Sequence, residues 1–140
     1  AEMAINYHDE DFVEVLRESD GADVILDCMG AKYLPRNVSA LATEGRLVII
    51  GMQGGVKGEL NIADLLGKRG AVIATSLRAR PTEDKSAICA SVVENVWPLV
   101  AQGAIRSQVT ATFPLEQVAE AHALMESGDH SGKILLTTGK

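Results

Sequence analysis

Two cysteines and three histidines are the residues of this 140-residue chain best suited to metal or nucleophilic chemistry, and their spacing supports neither. Cys28 and Cys89 stand far apart, and His8, His122 and His130 are scattered rather than set at the short intervals of a zinc site. The plain reading is two reduced thiols of an intracellular protein, with Cys28 a buried apolar side chain. No residue qualifies as an essential general acid, base or nucleophile. Two glycine-bearing segments carry more information. Ala22-Asp-Val-Ile-Leu-Asp-Cys-Met-Gly30 is followed, after one helix-sized gap, by Arg46-Leu-Val-Ile-Ile-Gly-Met-Gln-Gly-Gly55. Short continuous runs of Val, Ile and Leu bounded by turn residues suit strands buried on both faces of a parallel sheet. In open α/β sheets ligands bind beyond the carboxyl ends of such strands, where these glycines fall. A glycine there lets backbone approach a ring or sugar closely, which points to a nucleotide-cofactor site.

The elements that must position these loops follow from periodicity and punctuation. Met3 to Tyr7 reads as a short strand, and Asp9 to Ser19 as a helix with Phe12, Val13, Val15 and Leu16 on one face. A strand over Asp23 to Cys28 leads into a helix from about Tyr33 to Ala42, where Pro35 suits the first turn. Glu44-Gly45 closes that helix before a strand over Arg46 to Ile50. Gln53 to Gly58 is a glycine-rich loop, Asn61 to Leu66 a short helix, and Ala71 to Leu77 a more mixed strand suited to a sheet edge. Thr82 is placed to cap a long helix reaching about Gln102, which Pro98 should kink or divide. Trp97 with Val92, Val93, Val96 and Val100 reads as core. The tail is a strand (Val109 to Phe113), a helix carrying Val118, Ala121, His122 and Met125 along one side, and a strand over Lys133 to Thr138.

Composition excludes several classes. The apolar content of 46% and charged content of 23% are those of an ordinary globular domain. A net charge of −6 with no long basic run argues against general nucleic-acid or anionic-membrane binding. No apolar stretch approaches the roughly 18 residues of a membrane-spanning helix, and no secretory signal is visible. The start at Ala1, without an initiator methionine, reads as a cut through a larger protein or a processed chain.

Taken in order, Ala4-Ile-Asn-Tyr7, Gly21 to Gly30, Gly45 to Gly54, Ser76-Leu-Arg-Ala-Arg80, and Pro114-Leu-Glu-Gln-Val-Ala-Glu-Ala-His122 through Gly132-Lys-Ile-Leu-Leu136 form a specific set. It resembles the carboxyl-terminal half of quinone oxidoreductases of the zeta-crystallin type, zinc-independent members of the medium-chain dehydrogenase/reductase superfamily. The resemblance implies a partial Rossmann fold: a doubly wound, mostly parallel α/β sheet with flanking helices plus a strand–helix–strand tail. The strands near Asp23, Arg46 and Ala71 should be adjacent and parallel. Residues 1–106 would form the cofactor-binding part, lacking the first two strands, and 107–140 would return to a catalytic domain. No G-x-G-x-x-G pyrophosphate cradle is present; Gly51-Met-Gln-Gly54 has another spacing.

The resemblance also implies the site. Tyr7 would lie beside the adenosine end of NADP, or be an ordinary strand-end tyrosine. Asp27 to Gly30 would pass near a ribose, with backbone at Met29 and Gly30 in contact and Asp27 free to cap or orient the loop. Ile50, Gly51, Met52, Gln53 and Gly54 would run beside the nicotinamide, a ligand-free surface turn being the alternative. Ser76 and Leu77 would touch the ring through backbone; Arg78 would join them, or like Arg80 be solvated or salt-bridged at a subunit boundary. His122 reads as packing, while His130 and Lys133 flank a loop returning toward the cofactor. The implied activity is transfer of hydride or electrons from NADPH to a quinone or related conjugated carbonyl, in a cytoplasmic homodimer binding neither nucleic acid nor membrane. An enoyl-thioester reductase part and a non-catalytic dimerisation module are the alternatives.

Overall fold

The computed structural model describes residues 2–139, in two compact units, Ala1–Arg80 and Pro81–Lys140. The first unit opens with a turn at Tyr7–Asp9 rather than the expected strand over Met3 to Tyr7. A strand needs a neighbour for its N–H and C=O groups, and no described strand pairs with this segment; Asp9 and Glu10 N–H donate instead to the Asn6 carbonyl. Helix α1 (Phe12–Arg17) follows. Asp11 caps it, accepting from Val13 N–H at 2.8 Å.

Strands β1 (Ala22–Asp27), β2 (Leu41–Ile49) and β3 (Ala71–Ala74) form a parallel sheet in the order β1-β2-β3, as the sequence requires. β3 is an edge, and it stops at Ala74, short of the expected Leu77. Between β1 and β2 a 3-10 turn (Gly30–Lys32) leads into helix α2 (Leu34–Ala40), with Pro35 in its first turn. The helix ends before Ala42, and Leu41 to Gly45, expected as helix end and turn, join β2 through an irregular register marked by Glu44 at φ 65°. Lys68 decides that ending by donating from Nζ to the Ser39 and Leu41 carbonyls, two of the groups the helix leaves unsatisfied. Lys68 itself closes helix α3 (Ile62–Lys68), which Asn61 caps.

Register sorts the sheet's two faces. Ile25, Leu47 and Val72 lie in one row and pack with Leu34, Val38, Leu41 and Leu65, the core beneath α2 and α3. The neighbouring row, Leu26, Val48 and Ile73, points the other way, and Leu26 is 67% exposed. Continuous apolar runs predicted burial on both faces; cover is present on one.

In the second unit α4 (Thr82–Asn95) and α5 (Trp97–Ala101) are separated at Val96, with Pro98 in the first turn of α5. Thr82 does not cap: Pro81 holds that position, and Glu83 and Asp84 favour the helix start electrostatically. Trp97, Val92, Val93 and Val100 are exposed rather than core. β4 (Val109–Pro114) and β5 (Lys133–Thr137) pair in parallel, joined through a 3-10 turn (Leu115–Gln117) and helix α6 (Val118–Ser127). On α6 the buried position is Ala121, while His122, expected to pack, is exposed.

Candidate functional site

The carboxyl ends of β1 and β2 are laced together by backbone. Asp27, only 5% exposed, accepts Met29 N–H at 2.8 Å on Oδ1 and Gly30 N–H at 2.9 Å on Oδ2. Of the roles open to it in the sequence, the structure shows the capping one. The turn so formed presents the Cys28 carbonyl to Gln53 N–H (3.1 Å) and the Met29 carbonyl to Gly54 N–H (2.7 Å). Ile50 N–H donates to the Asp27 carbonyl at 2.7 Å, and Ala31 N–H to that of Gly55 at 3.1 Å. The two glycine-bearing loops are thus one hydrogen-bonded unit.

This lacing accounts for two of the glycines. A Cβ on Gly51 would stand 2.7 Å from the Cys28 carbonyl oxygen, and Gly30, at φ +73°, would place one 3.0 Å from the Gly55 oxygen. Space at Gly51 is therefore already claimed by this chain's own backbone, before any ligand is considered.

Beyond β2 and β3 the surface opens into a cleft of about 250 Å³ lined by Ile49, Ile50, Gly51, Met52, Ala74, Thr75 and Ser76. Gly51 and Ser76 leave the sheet from the same end, because the strands are parallel with Ile49 opposite Ala74. A second cleft, about 310 Å³, lies between the first turns after β1 and the 51–58 loop, lined by Gly30, Ala31, Leu34, Gly55, Val56 and Gly58 among others. Ile49, Gly51 and Met52 line both.

Of the residues singled out in the sequence, Ile50, Gly51, Met52 and Ser76 meet in the first cleft, and Gly30 lines the second. Met29, Gln53 and Gly54 belong to the lacing that shapes both. Leu77 and Arg78 continue into an exposed turn and line neither cleft. Tyr7, 66% exposed, has its ring centroid 4.2 Å from that of His8 with the rings tilted by 36°, and also lines neither. Cys28, expected buried, is exposed. Its backbone faces the second loop, so burial of the peptide carries no burial of the thiol. Thr75 escaped the sequence reading; its N–H extends the ladder to the Ile49 carbonyl at 3.1 Å, a long-range bond with no local signal. In the second unit Lys133 is exposed, and His130 holds a buried Nδ1 without a partner.

Electrostatics concentrate elsewhere in the first unit. Arg36 pairs with Asp11 at 3.0 Å and lies 4.4 Å from the Phe12 ring centroid, with Tyr33 stacked on Phe12. The Val13 N–H, then the Arg36 guanidinium, hold the Asp11 carboxyl below its ordinary range.

Comparison with known proteins assigns the family. The family model described as zinc-binding dehydrogenase matches residues 1–136. The chain belongs to the zinc-binding dehydrogenase family. Among curated relatives, the 2-haloacrylate reductase of a Burkholderia species is 30% identical over 141 residues, covering 94% of this chain and 40% of the relative. Quinone oxidoreductase 1 of Escherichia coli (strain K12) is also 30% identical over 141 residues, covering 96% of this chain and 42% of the relative. The solved Escherichia coli quinone oxidoreductase complexed with NADPH superposes with a TM-score of 0.75 at 28% identity, over 94% of this chain and 42% of that one. The chain thus spans about two fifths of the length of these relatives. The superposition agrees with the Rossmann-type α/β architecture. The family's description implies zinc, but no group of three or more His, Cys, Asp or Glu gathers among the described residues, so these residues do not fit a zinc centre. No described helix is long and apolar enough to cross a membrane.

Proposed function

We propose that this zinc-binding-dehydrogenase chain is the coenzyme-binding part of an NADPH-dependent oxidoreductase acting on a quinone or related conjugated carbonyl. The observation that carries the reading is the shared cleft. Gly51 and Ser76 open on the same end of a parallel sheet, where one flat ring can touch both loops. The residues fit the group: small and apolar side chains with exposed backbone line the space, and Thr75 and Ser76 add hydroxyls.

In this proposal Ile50, Gly51, Met52 and Ser76 hold the nicotinamide, with Gly30 and Met29 toward the ribose, Gln53 and Gly54 fixing the loop, and Leu77, Arg78 and Tyr7 as outer contacts. NADPH, when bound, supplies the hydride. The chain's own contribution is orientation and water exclusion, by Ile50 and Met52 over the cleft and by backbone groups that position a carboxamide. None of the residues lining the cleft carries an ionisable side chain, so the proton that completes reduction of a conjugated carbonyl comes from solvent or from residues beyond this lining. Residues 1–106 would serve coenzyme binding and 107–140 would return toward a catalytic domain, in a cytoplasmic homodimer.

Reduction of a conjugated carbon–carbon double bond, in an enoyl thioester or an unsaturated acid, is the second reading. It is favoured by the likeness to a 2-haloacrylate reductase. The test is an NMR titration of the chain with NADPH, followed by NADPH oxidation assays with a quinone, an enoyl thioester and a 2-haloacrylate in a protein of the relatives' length. Shifts confined to Gly51, Met52, Ser76 and their neighbours are expected, with weak affinity because the chain carries no G-x-G-x-x-G. Absence of shifts there refutes the coenzyme reading, and the preferred acceptor separates the two substrates.

A further inference from the structure

We propose that Asp27 is the positioning residue of the coenzyme cleft, setting the Gly51–Gly54 loop through two relayed sets of backbone hydrogen bonds. The inference rests on the coenzyme reading above. Asp27 touches neither cleft. Its two carboxylate oxygens each take one N–H, from Met29 and from Gly30, which folds the chain into a tight turn directly after β1. That turn aims two consecutive carbonyls, Cys28 and Met29, at two consecutive N–H groups, Gln53 and Gly54. Gly51 is drawn so close beneath them that a Cβ would meet the Cys28 oxygen at 2.7 Å. Met52, between the anchored Gly51 and Gln53, lines both clefts.

The carboxylate is suited to this task in a way its neighbours are not. It is an acceptor at both oxygens, so it satisfies two adjacent buried N–H groups at once. An amide of the same volume keeps one acceptor and turns an NH2 toward the second N–H, which repels it. A residue holding its place only by volume would tolerate that exchange; a two-oxygen clamp does not.

The test uses the whole chain with Asp27→Asn and Asp27→Ala, read by residue-resolved amide exchange and by NADPH titration. Exchange at Gln53 and Gly54 is expected to quicken roughly tenfold in Asp27→Ala and less in Asp27→Asn, which retains one bond, while Leu47 and Val48 keep their protection. NADPH affinity should fall in the same order, roughly tenfold in Asp27→Ala. Uniform loss of protection across the sheet, or an Asn variant equal to the native chain in both measurements, overturns the proposal. Native and Asp27→Ala chains that bind NADPH equally overturn it alone. A native chain with no NADPH shifts removes the coenzyme reading and this inference together.

Discussion

Replacing Gly51 by alanine tests the lacing of the two loops most directly. The added Cβ would stand 2.7 Å from the Cys28 oxygen, 3.2 Å from its Cα and 3.3 Å from its carbonyl carbon, all backbone atoms. Ordinary contact begins near 3.4 Å, so the loops must part by about 0.7 Å at the closest pair. Nothing flexible is available to give way. Parting strains the Ile50 N–H bond to Asp27 (2.7 Å) and the Gln53 N–H bond to Cys28 (3.1 Å). Overpacking of this kind costs about 1–3 kcal/mol, and a 2 kcal/mol loss multiplies the local opening equilibrium by roughly thirty. Urea unfolding gives the total, and amide exchange at Ile50, Gln53 and Gly54 gives the location. Gly67→Ala is the internal control. Gly67 lies inside α3 with nothing within 4 Å of the added carbon, so there alanine should stabilise by about 0.5–1 kcal/mol. A Gly51→Ala chain as stable as the native one, with unchanged exchange at Gln53, would refute the claim that the fold itself demands this glycine.

Leu47→Ala should cost about 2–5 kcal/mol in urea unfolding, because Leu47 is fully buried at the centre of the row beneath α2 and α3. Arg36→Lys should lose about 0.5–1 kcal/mol by the same measure, since lysine keeps the charge beside Asp11 but gives up the planar contact with Phe12 and Tyr33. The lowered carboxyl of Asp11 gives stability that is present above the unfolded aspartate range and drains away as pH falls through the folded value. Asp11→Ala should therefore flatten the acid limb of a pH–stability profile, and an unchanged acid limb would remove Asp11 from that account. If the proposed homodimer buries the face bearing the exposed Leu26 and Ile73, Leu26→Lys should shift the chain toward monomer in size exclusion with light scattering. A native chain that is already monomeric would count against the proposed homodimer.

The end of the sheet at which the two glycine-bearing loops meet was legible because its signals are local. Val-Ile-Leu runs ending in glycine mark buried strands and close backbone turns, and right-handed crossovers then force neighbouring strands to lie parallel. Pro35 read correctly for the same reason, as a first-turn residue acts within one helical turn, whereas Asn61, read as the first residue of a helix, proves to be its cap. The failures share a cause as well. Met3 to Tyr7 has strand-like composition, but no described strand pairs with it. Thr82 has capping chemistry, yet Pro81 takes the position. Cys28, His122, Trp97 and the valines of α4 and α5 were assigned burial from apolar spacing, which records which residues could be covered and not whether anything covers them.

Sequence alone determined the family, the three parallel strands and the end of the sheet from which the two glycine-bearing loops leave, since each follows from residue order and short-range conformational preference. Only the tertiary structure decided that Asp27 grips the turn after β1, that Cys28 and Met29 carbonyls bind Gln53 and Gly54, and that one face of the sheet is covered while the other is bare. The bonds between the two loops join atoms more than twenty residues apart in the chain, a meeting that no periodicity encodes, while the Asp27 bonds are local and the structure selected them among the roles that residue's chemistry left open.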